Sequence, residues 1–590
     1  MKGQTANTKT LTRLMFKLLP AQVLLMTVST INGLVSSFFA TNYVGVDAMT
    51  AVGLYGPVNL LLGSVSTMLF GGAVILCGKY MGQNESGKMQ NIFSLDIVLS
   101  LLIAAAFTIL LVIMAVFDLT GFMAPDAQVR PLFNRYILGQ TIGILPFVLG
   151  GQLQAFLFIE HREKRAVWAS IVYIAVNLML NFLFVKVMKM EAFGLAAASS
   201  LGMWAFFFIE AGYFIGGKSV LRLSLNHLNW AESRNIIVTG FPGAATNGYQ
   251  TLRGFIVNGL LAAFVGSAGI SAFAAANNLL ALFWAIPAGM QSVSRMLISV
   301  SVGEEDRRTL TDVMRVMIRR FVPLMCAVAA LLIACAVPLT RIFFHDPSEP
   351  VFMMTVWAIR ILPLCMPLAV VAMHFVCYGQ AAGKHGLVHI MAVMDGVVCV
   401  AGFSAVLIGA MGVNGVYTAN VLNGIVIILI VIGYAWIRGR RFPRNLEELM
   451  AIPEDFGVSE DERMDMTVMD MDDVVRISQQ VQAFCESRGI DSRRSHLAGL
   501  AMEEMAGNIV DHGFVKDNKK HSVDVRVVRK DDDVILRLRD DCVPFDPGER
   551  MSMASSDDIT KNIGIRMIFR MATDVQYQNI LGLNVLTVRI

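Results

Sequence analysis

The sequence predicts a membrane all-α bundle, twelve transmembrane helices in two six-helix repeats, followed by a C-terminal α+β cytosolic domain. Three observations lead there: an abrupt change of composition at Arg444, a series of long uncharged apolar runs before it, and a 221-residue repeat among those runs. Of the 590 residues, 55% are hydrophobic and 16% charged, where a soluble protein carries about 25% charge. The net charge of +3 is a cancellation. Residues 1–444 hold 30 Lys and Arg against 17 Asp and Glu, whereas residues 445–590 hold 18 against 28. A basic membrane protein is thus joined to an acidic soluble one. The acidity of the second part argues against direct nucleic-acid binding.

Crossing a bilayer core of about 30 Å takes about 20 apolar residues. Uncharged runs of that order are Leu18–Val46, Ala48–Gly78, Ile97–Phe117, Tyr136–Ile159, Ala166–Val185 and Phe321–Thr340. Single charges at Glu210, Arg253, Arg360 and Asp395 interrupt others. Helices are expected over 14–40, 51–77, 93–117, 132–159, 166–187, 193–216, 236–262, 271–300, 317–340, 352–379, 386–409 and 413–437. With the N-terminus inside, inner segments hold nineteen Lys and Arg and outer loops four. This places both termini in the cytoplasm of a multi-pass plasma-membrane protein. Arg438–Arg444 is a basic exit suited to anionic membrane lipids. The eight cysteines contain no C-x-x-C, so a disulfide framework or zinc ribbon has no support.

Gly45 and Gly266 open similar runs, Gly82 and Gly303 open the polar loops GQNES and GEEDR, and Phe122 pairs with Phe343 and Gly194 with Gly415, every pair 221 residues apart. The repeats are residues 1–222 and 223–444. A unit of six helices enters twice from the same side, which implies a pseudo-twofold axis along the membrane normal and substrate binding between the halves.

These residues resemble the multidrug and toxic compound extrusion (MATE) transporter family over roughly residues 10–440. The carriers are Pro20 with INGLVSSFFATNYVG, LFGGAVILCGKYMGQNESGK, NLMLNF followed by FGLAAAS, and TGFPGAA. The resemblance implies cation-coupled export of amphiphilic or cationic small molecules. Many family members carry an acid in the first helix, where Ser36 stands here, or about eight residues past the proline of helix seven, where Gln250 stands. A coupling carboxylate trades a proton or Na⁺ against substrate, and these two neutral side chains change no charge. Candidate cavity residues are therefore the intramembrane ionisables Arg253 and Asp395, expected as an ion pair or facing the cavity, together with Asn32, Ser36, Gln250 and the i,i+4 pair Asn177 and Asn181. Gly212–Ser219 fits G-x₄-G-K-S, but its context is a membrane helix end, so a phosphate-binding loop is not expected.

Residues 445–465 are polar and acidic and read as a linker; residues 466–590 form the second domain. Val474–Arg488, His496–Asp511 and Met567–Met571 have helical spacing, and Ser522–Val528, Val534–Arg539 and Val585–Ile590 read as strands. Glu504, Asn508 and His512 share one helix stripe, and a carboxylate and amide one turn apart suit Mg²⁺ and a positioned nucleophile. Here the sequence resembles the GHKL ATP-binding fold, in the branch of anti-sigma-factor serine kinases. EEMAGNIVDHGF matches its N-box, RDDCVPFDP its D-x-G-x-P-F-D-P box, NIGIRMI its second glycine box and LNVLTVRI its closing strand. The resemblance implies Glu504 as general base, Asn508 as Mg²⁺ ligand, Asp540 as reader of the adenine amino group, Gly564 at the phosphates and Thr587 in support of the adenine site. Cys542 replaces the first box's glycine, and Lys561 and Asn562 stand where a second-box glycine is usual.

Three functions compete. One is an exporter regulated by its ATP-binding domain. Another is a membrane-tethered serine kinase or partner-switching sensor, with an anti-anti-sigma-like protein or sigma factor as partner and the transporter fold as receptor. The third is a flippase for a lipid-linked molecule. The intact repeat favours the first; one ATP motif set without a P-loop argues against an ATP-driven pump.

Overall fold

The computed structural model describes residues 2–590 except 40–42, 45, 84, 125–128, 218, 225–227, 515–520, 531, 544–562 and 581–582. Its described residues up to Gly439 form twelve long helical rods. The first half holds α1 (Lys2–Phe39), α2 (Val46–Gly82), α3 (Ser86–Val116), α4 (Val129–Ile159), α5 (Glu163–Val187) and α6 (Glu191–Ile215). The second holds α7 (Ala231–Phe264), α8 (Ser267–Gly303), α9 (Arg307–Ala334), α10 (Pro350–Ala381), α11 (His385–Met411) and α12 (Val413–Gly439). Among the described residues, eleven of them are long and apolar enough to cross a membrane. The other, α7, is 34 residues long and carries the polar run Thr246, Asn247, Gln250, Thr251 and Arg253. The repeat reappears in the element ends: α2, α3 and α4 begin 221 residues before α8, α9 and α10.

The halves meet along α2, which packs on both α7 and α8. Small residues let the backbones approach closely. A Cβ on Gly240 of α7 would lie 1.8 Å from the Met68 carbonyl oxygen, and one on Gly72 of α2 would lie 2.0 Å from the Ile236 oxygen. At the ends of α2 and α8, a Cβ on Gly303 would lie 2.0 Å from the Lys79 oxygen. The bundle is therefore sealed on the side that carries the C-terminal domain. Three rods contain a π turn: Phe182–Val187 in α5, Met317–Phe321 in α9 and Met394–Val398 in α11.

The C-terminal domain consists of β1 (Arg463–Val468), α13 (Met471–Ser487), α14 (Ser492–Gly513), β2 (Val523–Lys530), β3 (Asp533–Asp540), α15 (Ile563–Met571), β4 (Asp574–Ile580) and β5 (Leu583–Arg589). Asp470 and Asp491 cap α13 and α14 by accepting from the backbone N–H of Asp473 and Arg494. The sheet is antiparallel throughout, in the order β1-β2-β3-β5-β4. One face packs Val525, Val527, Leu536, Leu538, Leu586 and Val588 against Val481, Met502, Met505 and Ile568 of the helices. Because side chains alternate along a strand, the opposite face carries Arg526, Arg537 and Arg539, and it covers the bundle: Arg526 meets Asp306, and Arg537 and Arg539 meet Glu304.

Strands β1 and β4 lie outside the expected elements, and β1 starts inside the stretch read as linker. That stretch is also strapped to the bundle. Lys384 donates to the carbonyls of Met450 and Ala451 at 2.9 and 2.6 Å, and Arg307 donates to that of Pro453. Gly212–Ile215 is the last turn of α6, the helix end that the sequence indicates in place of a phosphate loop.

Candidate functional site

The nucleotide motifs converge on the helix-covered side of the sheet. Glu504 and Asn508 are half-buried on α14, and Asn508 Nδ2 donates to the Glu504 backbone carbonyl. What Asn508 offers a ligand is then its amide oxygen. Gly564 opens α15 against Glu504: a Cβ there would lie 2.1 Å from the Glu504 carboxylate. The absent side chain lets that half-buried carboxylate pack directly against the start of α15. His512, on the same stripe, is exposed.

Asp540 ends β3 and is 4% exposed. Its Oδ1 accepts from Asn584 Nδ2 at 2.8 Å and from the Cys542 backbone N–H at 2.9 Å. Burial pushes the Asp540 carboxyl above its ordinary value, and the Asn584 and Cys542 donors hold it back. Cys542 has no left-handed backbone, so glycine's conformational freedom is not needed there. Its buried side chain packs on the end of α14, with Sγ 3.1 Å from where a Cβ on Gly513 would stand. His521 Nδ1 lies 2.7 Å from Asp541 Oδ1 and braces the strand end.

Thr587 departs from its expected place. It is in register with Arg537 and takes a 3.4 Å hydrogen bond from the Arg537 guanidinium, on the face turned to the bundle. Alternation along β5 puts Asn584, three residues earlier, on Asp540's face. Asn584 is the residue that sequence reasoning missed, because a motif read as letters carries no strand register. Lys561 and Asn562 lie outside the described residues. The donor set suits a magnesium nucleotide: a buried acceptor at a strand end for an amino group, an amide oxygen beside a carboxylate, and a glycine whose backbone meets that carboxylate.

In the bundle, the candidates separate. Arg253 of α7 and Asp395 of α11 come together but form no carboxylate pair. Arg253 Nη1 donates to the Asp395 backbone carbonyl at 3.4 Å, and the Asp395 carboxylate accepts from Asn423 Nδ2 of α12 at 2.7 Å. The π turn of α11 contains Asp395 and reorients it within the helix. Asn177 and Asn181 are fully buried; Asn181 donates to Asn177, and Asn177 donates to Ser199 of α6 at 3.2 Å. They join α5 to α6 and do not line an open cavity. Gln250 is exposed on α7, and the side chains of Asn32 and Ser36 are outside the described part of α1. Two acids inside the bundle went unremarked as site candidates: Asp96 of α3 and Glu210 of α6 are fully buried, and none of their carboxylate oxygens has a hydrogen-bond partner. His374 of α10, also missed, lies 2.7 Å from Ser294 Oγ of α8.

Comparison with known proteins separates the two parts in the same way. The MatE family profile matches residues 21–183 and 242–405, one segment in each half. The profile described as a histidine kinase-like ATPase domain matches residues 467–590. A curated relative, the probable multidrug resistance protein NorM of Geobacillus kaustophilus (strain HTA426), is 21% identical over 237 residues, 38% of this chain. The chain spans about half (51%) of that relative's length. A crystal structure of MATE in complex with MaL6 superposes with a TM-score of 0.68 at 19% identity, covering 75% of this chain and 98% of its own. A MOP-superfamily transporter from Pyrococcus furiosus gives 0.67 at 20% identity with the same coverage. The fold is thus that of MATE transporters, and the match over more than half of its residues places the chain in the MatE family, with a histidine kinase-like ATPase domain at its C-terminal end.

Proposed function

We propose that this protein is a secondary exporter of small amphiphilic or cationic compounds, driven by a H⁺ or Na⁺ gradient, whose C-terminal domain binds Mg-ATP and regulates transport from the cytoplasm. The observation that carries the reading is the seating of that domain: its sheet lies on the sealed ends of the two halves, joined by buried ion pairs, and does not hang on a free tether. The excess of basic residues in the loops on this side supports a cytoplasmic location in the plasma membrane. In the nucleotide site, Asp540 with Asn584 reads the adenine amino group, Asn508 holds Mg²⁺, and the Gly564 backbone at the start of α15 faces the phosphates beside Glu504. Bound Mg-ATP would supply a transferable γ-phosphoryl group, and Glu504 would take the proton of the attacking hydroxyl as ADP leaves.

The test is export of an amphiphilic cation, such as ethidium, by inside-out vesicles with an imposed ion gradient. Mg-ATP is expected to change the rate about fivefold or more, the usual size of an allosteric coupling, and Asn508→Ala to remove that response. Export indifferent to ATP and to the loss of Asn508 would leave the domain a separate device. The half-buried Glu504 carboxylate, one turn from Asn508 and against the start of α15, favours that second reading, a membrane-tethered serine kinase acting on an anti-anti-sigma-like partner. Glu504→Gln would then abolish phosphate transfer to the partner and spare ATP binding.

Asp395→Asn is expected to keep the fold, because an amide oxygen still accepts from Asn423. If Asp395 is the coupling carboxylate, the pH dependence of export disappears with it. An unchanged pH profile removes Asp395 from the mechanism and moves attention to Asp96 and Glu210, the two buried carboxyls without a partner.

A further inference from the structure

The Arg-rich face of the sheet has a use that nucleotide binding on the other face does not explain. It is built around one loop. Between α8 and α9 the chain reads Gly303-Glu304-Glu305-Asp306, and all three acids are taken by the domain. The Glu304 side chain, 2% exposed, receives Arg539 at 2.9 Å and Arg537 at 3.4 Å. Asp306, 4% exposed, receives Arg526 while capping α9 through the Thr309 N–H at 2.8 Å. Arg539 also donates to Thr309 Oγ1 at 3.2 Å, Lys530 pairs with Glu305 at 2.7 Å, and Arg308 pairs with Asp465 of β1 at 3.2 Å. Burial would raise the Asp306 carboxyl, but Arg526 and Arg539 beside it hold it well below the usual carboxylate range, so the pair stays ionised. Removing one partner of such a pair leaves the other charge buried and uncompensated, so the contact is tight as a set and intolerant of loss.

The same face reaches the first half of the bundle. Arg13 of α1 pairs with Asp541 at 3.5 Å, next to Asp540. Leu583 and Val585 of β5 belong to the apolar cluster that contains Leu11 and Leu14 of α1. Gly82, Gln83 and Glu85, the first half's counterpart of the α8–α9 loop, line a cavity of about 500 Å³ together with Glu304, Arg526 and Arg537. One rigid sheet thus touches the ends of both halves where they are sealed backbone to backbone. Alternate access by rocking the halves requires those ends to part.

We propose that the outer sheet face of the C-terminal domain is a latch across the inner gate, with the α8–α9 loop as its catch, so that the bundle opens on this side only when Glu304 and Asp306 release Arg526, Arg537 and Arg539. The latch rests on the regulatory reading above and specifies the surface through which regulation acts. A protein partner that needs this face must first undock the domain. Control by nucleotide passes along β3, which carries Arg537 and Arg539 on the bundle side and Asp540 on the nucleotide side.

Hydrogen–deuterium exchange of peptides covering residues 297–316, in the full-length protein in nanodiscs, tests the latch. Arg539→Gln and Glu304→Gln are each expected to raise exchange at least tenfold, and the double substitution to add little further. To guard against variants that misfold, Lys530→Glu is expected to raise exchange at the loop, and combining it with Glu305→Lys to restore the wild-type level. Exchange at wild-type level in Arg539→Gln and Glu304→Gln overturns the latch, even if ATP changes export. Raised exchange in both variants, with ATP altering neither exchange nor export in the wild type, upholds the latch and overturns regulation by nucleotide.

Discussion

Asp540→Asn is expected to abolish nucleotide binding and leave the protein folded. In the wild type, one carboxylate oxygen accepts from both Asn584 Nδ2 and the Cys542 N–H, and the carboxylate has only acceptor capacity to offer an incoming amino group. An asparagine keeps one acceptor and gains a donor. Either its NH₂ faces Asn584 and Cys542, or it faces the adenine amine. Each orientation sets donor against donor in a buried place, at about 3 kcal/mol, or more than a hundredfold in affinity. Isothermal calorimetry on the full-length protein measures it. Thr587→Ala is the control. Thr587 contacts Arg537 on the other face of the sheet, so its loss is expected to leave affinity unchanged, and a large loss of affinity would return the adenine site to the expected residue. The pH dependence has a definite sign. Burial raises the Asp540 carboxyl, and protonation would put an O–H donor on the oxygen that Asn584 and Cys542 leave for the amine, so affinity falls on acidification from a higher pH than an ordinary aspartate gives.

How far the sequence reaches is seen in the same residues. Asp540 was legible because a run of alternating apolar residues ends on it. Its partner was not, because a motif matched as letters carries no register, and one strand position separates the two faces of a sheet. The twelve rods were legible to within a few turns, since apolar length and loop charge need no partner to be read. Strand β4, Asp574–Ile580, was hidden because it is an edge strand and DVQYQNI turns only Val575 and Tyr577 to the core, too short an alternation to stand out. Strand β1, Arg463–Val468, was hidden in acidic surroundings that its pairing with β2 explains. Arg253 and Asp395 were read as neighbours, and they are, but their contact runs through a backbone carbonyl, which no residue pattern encodes. The latch was half visible: GEEDR stood out as one of two repeated loops, yet its partners Arg526 and Arg539 lie more than 200 residues onward.

Gly240→Ala is expected to destabilise the seam between the halves by about 3 kcal/mol, at the upper end for an overpacked contact, and to lower export with it. The added Cβ would stand 1.8 Å from the Met68 carbonyl oxygen and 3.0 Å from the Gly72 backbone nitrogen. Both are main-chain atoms on the facing helix, so no rotamer change relieves the clash, and α2 must move off α7 along the whole crossing. Helix propensity alone argues the other way, because alanine is favoured over glycine by about 1 kcal/mol in a helix interior. The same helix supplies the comparison that decides between the two effects. Gly248 lies two turns along α7, and nothing stands within 4 Å of where its Cβ would be. Gly248→Ala is therefore expected to be neutral or stabilising in a thermal melt of the purified protein, and Gly240→Ala to melt earlier. Equal melts for the two would mean that the α2–α7 approach is looser than drawn, and the seal that the latch holds shut would then have to lie at Gly82 and Gly303 alone. A split between them ties the close approach of the two halves to the missing side chain at Gly240, where the facing Met68 carbonyl leaves no room for a methyl group.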